Sequence, residues 1–323
     1  MARTEIQDLP TPAKAGGESL KTVLIAFAAN LLIAVAKSVA AVVTGSASML
    51  AEAAHSWADT GNEIFLLVAQ RKGERRRDAR HPMGYGRETY VWSMFAAFGL
   101  FTAGAVVSIW HGITELRDPE PAGDYLVAYV VLGVSFVLEG ISFRQALRQS
   151  RTSAAELDRG LADFVSSTSN PTLRAVFAED AAALAGIVIA VVGIALHQIT
   201  GSVVPDAVGS ILVGVLLGVV AVFLIDRNRR FLVGEVVRPE ARSAVLRHLL
   251  ERPDVDRVTY LHLEFIGPAR LYLVAAVDMA GDDREHDLAV RLRDLERQLE
   301  RDDLIEEAVV TLSAPEEESL LPE

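Results

Sequence analysis

The 323-residue chain contains no cysteine, which excludes disulfides and thiolate metal ligands outright. Any metal it handles must be held by His, Asp, Glu, Asn or water. A basic stripe is also missing, because Asp and Glu outnumber Lys and Arg by 43 to 31, a formal net charge of -12. Nucleic-acid binding needs the opposite balance, so no nucleic-acid partner is expected. No nucleophile–base pair and no cofactor motif is visible, so neither an enzyme nor a resident cofactor is implied. Beyond Asp226 the chain has no further apolar run of membrane-spanning length and turns charged and alternating.

Upstream of that point long apolar runs dominate, and 51% of all residues are hydrophobic. A spanning helix needs about 20 mostly apolar residues. Six segments qualify: 20–43, 47–68, 89–112, 125–143, 173–197 and 205–225. Lys and Arg collect on one side of these spans, in Arg71-Lys72-Gly73-Glu74-Arg75-Arg76-Arg77, at Arg144, Arg148, Arg151 and Arg159, and at Arg227, Arg229 and Arg230. The opposite loops (45–46, 115–124 and 198–204) hold only Arg117. By the positive-inside rule both termini are cytoplasmic, and an integral protein of the inner or plasma membrane is expected. Residues 1–19 carry Pro10, Pro12, Gly16 and Gly17 without a cleavable signal layout, and are read as a mobile tail. The division is therefore a tail (1–19), a six-helix membrane domain (20–226), a soluble domain (239–313) and an acidic end (314–323).

The pentad His55-Ser56-Trp57-Ala58-Asp59 lies inside the second span. Residues four apart share a helical face, so His55 and Asp59 project together. Each is costly in hydrocarbon unless paired, hydrated or bound. Imidazole plus carboxylate is a donor set that zinc accepts, and the same face continues to Asn62 and back to Glu52. A pair placed only to lock helices is the competing reading. The fifth span holds Glu179-Asp180, two carboxylates about 100° apart on a helix, so one can face a metal while the other faces a neighbour. Ala181, Ala182, Ala183, Ala185 and Gly186 follow and permit close helix approach. Gly214 and Gly218 read the same way on the sixth span. Lys37 either pairs with an intramembrane carboxylate or reaches towards an interface. Glu139 is read as a partner of the nearby basic loops rather than as a proton carrier. Between the second and third spans, Asp78 and His81 could hold a second metal, although a loop histidine beside basic residues is usually structural.

Together these elements resemble the cation diffusion facilitator family of divalent-metal/proton antiporters. The resemblance covers six spans, His55-x-x-x-Asp59, the acidic fifth span, the Asp78…His81-Pro-Met-Gly-Tyr-Gly-Arg loop and a soluble tail. The run 179–186 with Pro205-Asp-Ala-Val-Gly-Ser210 is most similar to the branch containing the ninth human zinc transporter. The resemblance implies a transport site at His55, Asp59 and Asp180. The family's fourth position falls on Val176, which cannot bind metal, so Glu179, Asn62 or water would complete the shell. It further implies an interfacial site at Asp78 and His81, weakened because Tyr85 stands where some members have histidine.

The tail reads as helix 241–252, strand 255–266, a turn at Gly267-Pro268, strand 270–279, helix 284–301 and strand 305–312. Leu288, Leu292, Leu295 and Leu299 recur at helical spacing. This order resembles the family's ferredoxin-like domain, which implies a homodimer. The tail's histidines, His248, His262 and His286, form no close pair. The fold class expected is thus an α-helical membrane protein with six transmembrane helices and a C-terminal cytoplasmic ferredoxin-like α+β domain. Zn2+ export in exchange for protons is the leading function. A Mn2+, Fe2+ or Co2+ exporter, a cation channel and a metal-sensing membrane protein are the alternatives.

Overall fold

The computed structural model describes residues 20–119 and 125–322. The expected N-terminal tail and part of the 115–124 loop lie outside the described residues. Ten helices and three strands are seen among them. The membrane part is built from α1 (Leu20–Thr44), α2 (Ala47–Gly73), α3 (Glu88–Ala96), α4 (Thr102–Arg117), α5 (Tyr125–Glu156), α6 (Leu161–Ser167), α7 (Pro171–Thr200) and α8 (Val204–Val233). The third expected span is α3 and α4 joined by a π-helical turn at Ala97–Phe101. α5 runs well past residue 143, and the short α6 was not expected.

Among the described residues five helical segments are long and apolar enough to cross a membrane: the 27–44 part of α1, Glu88–Arg117, α5, α7 and α8. The second expected span, α2, does not reach that standard. The physical reason is its content, since Glu52, His55, Asp59, Asn62 and Glu63 all lie on it. It avoids the cost of that polarity by its position, packed against α1, α3, α4, α7 and α8. The outer surfaces of α5 and α8 are apolar and exposed, with Leu126, Val130, Val134 and Val137 on one and Leu212, Val215, Val219 and Val222 on the other. A surface of that kind is stabilised by lipid. The protein is an integral membrane protein.

Small residues set the close helix contacts. A Cβ on Gly214 would stand 2.9 Å from the Ala105 carbonyl oxygen, and one on Gly112 would stand 2.6 Å from that of Ala207. α4 and α8 therefore pack backbone to backbone, which is the role expected for Gly214. The N-terminus of α2 is fixed to the start of α8 by Asp206. Its carboxylate accepts from Ala47 N (2.9 Å), Ser48 N (3.2 Å) and Ser46 Oγ (3.0 Å), using donors that a helix start leaves without intrahelical partners.

The C-terminal domain follows as α9 (Pro239–Leu250), β1 (Val255–Gly267), β2 (Arg270–Met279), α10 (Glu285–Leu299) and β3 (Ile305–Leu312). It is a small α+β domain with a mixed three-stranded sheet in the order β1-β2-β3, antiparallel then parallel. Its helices pack on one face through Leu246, Leu249, Leu295 and Leu299, against Val258, Leu263, Leu273 and Val277. The turn differs from expectation. Gly267 belongs to β1, and the hairpin turns at 268–269 with Ala269 at φ 51°. Gly267 is instead needed for close approach, since a Cβ there would stand 2.7 Å from Gly86 Cα in the loop before α3. The two parts are joined at this point, where Ala269 N also donates to Ser169 Oγ (3.1 Å).

Candidate metal centre

The expected pair on α2 is present. His55 Nε2 lies 3.1 Å from Asp59 Oδ2, and His55 is fully buried. Among the described residues His55 Nδ1 has no hydrogen-bond partner, nor has Asp59 Oδ1, and Nε2 faces only Asp59 Oδ2. A buried polar atom without a partner costs about 1–3 kcal/mol, so the unmade bond at Nδ1 needs an explanation. One turn back, Glu52 accepts from Lys37 Nζ at 2.8 Å, with both side chains wholly buried. This settles Lys37 as the partner of an intramembrane carboxylate. Gly186 on α7 leaves the room that Glu52 Oε1 occupies.

On α7 the two adjacent carboxylates diverge, as helical geometry requires. Glu179 accepts from Asn62 Nδ2 at 2.6 Å, which brings α2 and α7 together. Asp180 accepts from Ser142 Oγ of α5 at 2.7 Å. Among the described residues no three or more His, Asp or Glu side chains form a group that could hold a metal in this arrangement. His55 and Asp59 thus stand together, Asn62 and Glu179 stand together, and Asp180 is turned to α5. Val176, at the family's fourth position, packs with the apolar residues between α2, α4 and α8.

Sequence reasoning missed several neighbours. Glu63, four residues beyond Asp59, is held by Asn30 Nδ2 at 2.5 Å, and that spacing was the signal available. Arg174 is completely buried, donates to Thr168 O (2.9 Å) and Asn228 Oδ1 (2.8 Å), and lies over the Phe231 ring. Glu139 is not found where it was expected. It interacts electrostatically with Asp59, Lys37, His55 and Glu52 inside the bundle rather than serving as a partner of the basic loops.

The loop pair forms a tight turn. Asp78 accepts from Arg80 N and His81 N (each 2.9 Å) and from Tyr85 OH (2.7 Å), and His81 Nδ1 lies 3.7 Å from Asp78 Oδ1. The Tyr85 hydrogen bond first, and the backbone donors with it, hold the Asp78 carboxyl below its ordinary value, and the same bond raises the Tyr85 phenol. Arg75 stacks on Tyr85 at 4.4 Å. Three donors already take up most of the acceptor capacity of the Asp78 carboxylate.

Residues 23–233 match the family described as the cation efflux transmembrane domain. The chain belongs to the cation efflux family. It is 37% identical over 233 residues to metal tolerance protein C4 of Arabidopsis thaliana, covering 72% of this chain and 51% of that protein. It is 33% identical over 261 residues to the human protein named proton-coupled zinc antiporter SLC30A9, mitochondrial, covering 81% and 46%. Against the zinc transporter ZitB of Escherichia coli it is 26% identical, covering 76% and 74%. The similarity to the branch containing the ninth human zinc transporter is therefore upheld. The chain spans about half the length of the first two of these relatives.

Proposed function

We propose that this family member is a secondary transporter that exports a divalent cation, Zn2+ foremost, in exchange for protons. The observation that carries the reading is His55, wholly buried, with Nε2 3.1 Å from the Asp59 carboxylate and Nδ1 without a partner among the described residues. An imidazole and carboxylates are ligands for zinc once deprotonated. His55, Asp59 and Asp180 bind the cation, and Glu179 and Asn62 hold α2 and α7 in register beside it or complete the shell. Asp78 and His81 would form at most a weaker second site, given the three donors on Asp78. Protons arriving from one side compete for the same lone pairs, so release and protonation are a single exchange. The names of two relatives, a proton-coupled zinc antiporter and a zinc transporter, support this choice of cargo and counter-ion.

With α2 shielded by its neighbours, a six-span arrangement with both termini cytoplasmic and a membrane/soluble division near residues 226–239 accounts for the charge asymmetry of the loops. The three-stranded domain serves as the dimerisation unit. Light scattering in detergent tests the dimer. Single introduced cysteines, in a chain that has none of its own, test the topology.

Flux into proteoliposomes containing a pH dye tests the mechanism. Zinc entry is expected to alkalinise the lumen as protons leave, with His55→Ala and Asp59→Ala silent although assembled in the membrane. Zinc movement with no change in lumen pH would favour a channel, and no movement at all would favour a sensor. Running Mn2+, Fe2+ and Co2+ alongside assigns the cargo.

A further inference from the structure

The membrane-spanning part of α5 is largely apolar, and one stripe of it, Ala128, Leu132, Ser135 and Ala146, is buried. Half-buried Glu139 and exposed Ser142 fall on the same stripe, which then runs in steps of four and three. Those two positions are the polar ones at the depth of the metal centre. Ser142 donates to Asp180 Oδ2 at 2.7 Å, which fixes this face of α5 against α7. Glu139 stands one turn away on the same face. It interacts with Asp59, His55, Lys37 and Glu52, and Asp180 in turn interacts with it. Among the described residues no hydrogen bond or ion pair holds the Glu139 carboxylate, an expensive arrangement in a membrane unless something binds it.

The acidic residues alone would not make a site, but His55 adds an independent observation. It is wholly buried, with Nδ1 unpartnered among the described residues and Nε2 facing only Asp59 Oδ2 at 3.1 Å. Across the bundle the fourth family position is Val176, which has no donor atom and packs into an apolar cluster. We propose that Glu139 supplies from α5 the ligand that Val176 cannot supply from α7, completing a shell of His55, Asp59, Asp180 and Glu139 around the transported cation. Binding exchanges the Ser142–Asp180 hydrogen bond for the cation and draws α5 towards α2. One imidazole and three carboxylates form a harder set than two imidazoles would, so the site holds zinc while admitting manganese. This inference rests on the metal-site reading above.

Zn2+ titration of the full-length protein in detergent, with Mn2+ as a second probe, tests it. Loss of an outer-shell partner alone weakens metal binding by about 10–100-fold, so Glu139→Gln is expected to weaken zinc binding at least tenfold, as is Asp59→Asn. Adding Val176→His to Glu139→Gln is expected to restore zinc affinity and not manganese affinity, because the ligand returns on α7 as an imidazole. If Glu139→Gln binds zinc like the wild type while Asp59→Asn does not, Glu139 is no ligand and the metal centre stands without it. If both bind like the wild type, the metal centre itself is misplaced and the inference falls with it. Should Glu139→Gln fail to assemble, Glu139→His serves instead. Retained zinc with weakened manganese supports the ligand role, and equal loss of both metals overturns it.

Discussion

In the C-terminal domain the buried interior is mostly apolar, with Leu246, Leu249, Val258, Leu273, Val277 and Leu295 and only Ser243 and Glu296 polar among the described residues, whereas in the membrane bundle it includes Lys37, Glu52, His55, Asn62, Arg174 and Asp206. The contrast follows from the solvent each part meets. Around the domain, water separates apolar from polar residues, so hydrophobic burial alone specifies which face is inside. Around the bundle, lipid is as apolar as leucine and gives little preference between facing in and facing out. There the polar contacts specify the arrangement: Lys37 with Glu52 and Asn30 with Glu63 join α1 to α2, Asn62 with Glu179 joins α2 to α7, and Ser142 with Asp180 joins α5 to α7. On the proposed reading, the charged groups that would meet the cation are also the ones that hold the helices together.

The sharpest way to break the comparison is to remove one partner of the buried ion pair. Lys37→Met leaves the Glu52 carboxylate buried and alone, at an expected cost of about 3–5 kcal/mol, while the Lys37→Met/Glu52→Met double variant recovers most of it. In the domain, Leu273→Ala is expected to cost about 2–5 kcal/mol, with no second change that rescues it by restoring charge balance. Thermal unfolding in detergent, read separately for the two parts by hydrogen exchange, checks both. If the double variant is as unstable as the single one, the pair is not what specifies the α1–α2 contact.

A smaller effect is expected at the outer end of α2. Asp206→Ala removes the carboxylate that accepts from Ser46, Ala47 and Ser48, and loss of a helix cap costs about 0.5–2 kcal/mol. The expected signature is faster exchange at the first turn of α2, with the C-terminal domain unchanged. Equal protection in the two proteins would show that the cap is dispensable.

The smallest effect separates the regions by pH. Burial first, and Arg252 beside it, keep the His248 imidazole in α9 below its ordinary pKa of 6.5. The unfolded chain then takes up the proton more readily than the folded one. The contribution to stability is present above about pH 6.5 and is lost as pH falls through the folded value. His248→Gln is expected to flatten the pH dependence of α9 exchange protection between about pH 7 and pH 5. A slope that survives the substitution would assign it to another group.

Much of this was legible in the sequence, for reasons that differ by region. The helix and strand order of the domain was readable because alternation and the Leu288–Leu299 spacing report a water-facing side. His55 and Asp59 were readable because four-residue spacing fixes a shared face. The partner of Lys37 was left open, because no periodicity links residues on different helices. The contacts of Glu139 and Ser142 with the bundle were not readable, because an apolar helix in lipid carries no amphipathic phase to say which stripe meets its neighbours. The π-helical turn at Ala97–Phe101 was hidden for a similar reason, since Ala-Phe-Gly-Leu-Phe is apolar in any helical register. α6 is seven residues long, too short for a periodic signal.

X-ray absorption at the zinc edge, on the full-length protein loaded with one equivalent of Zn2+, tests the central claim most directly. The account predicts a shell of nitrogen and oxygen only, at about 2.0–2.2 Å, with imidazole scattering that disappears in His55→Ala. The same imidazole signal in His55→Ala as in the wild type would place the zinc elsewhere and contradict the account.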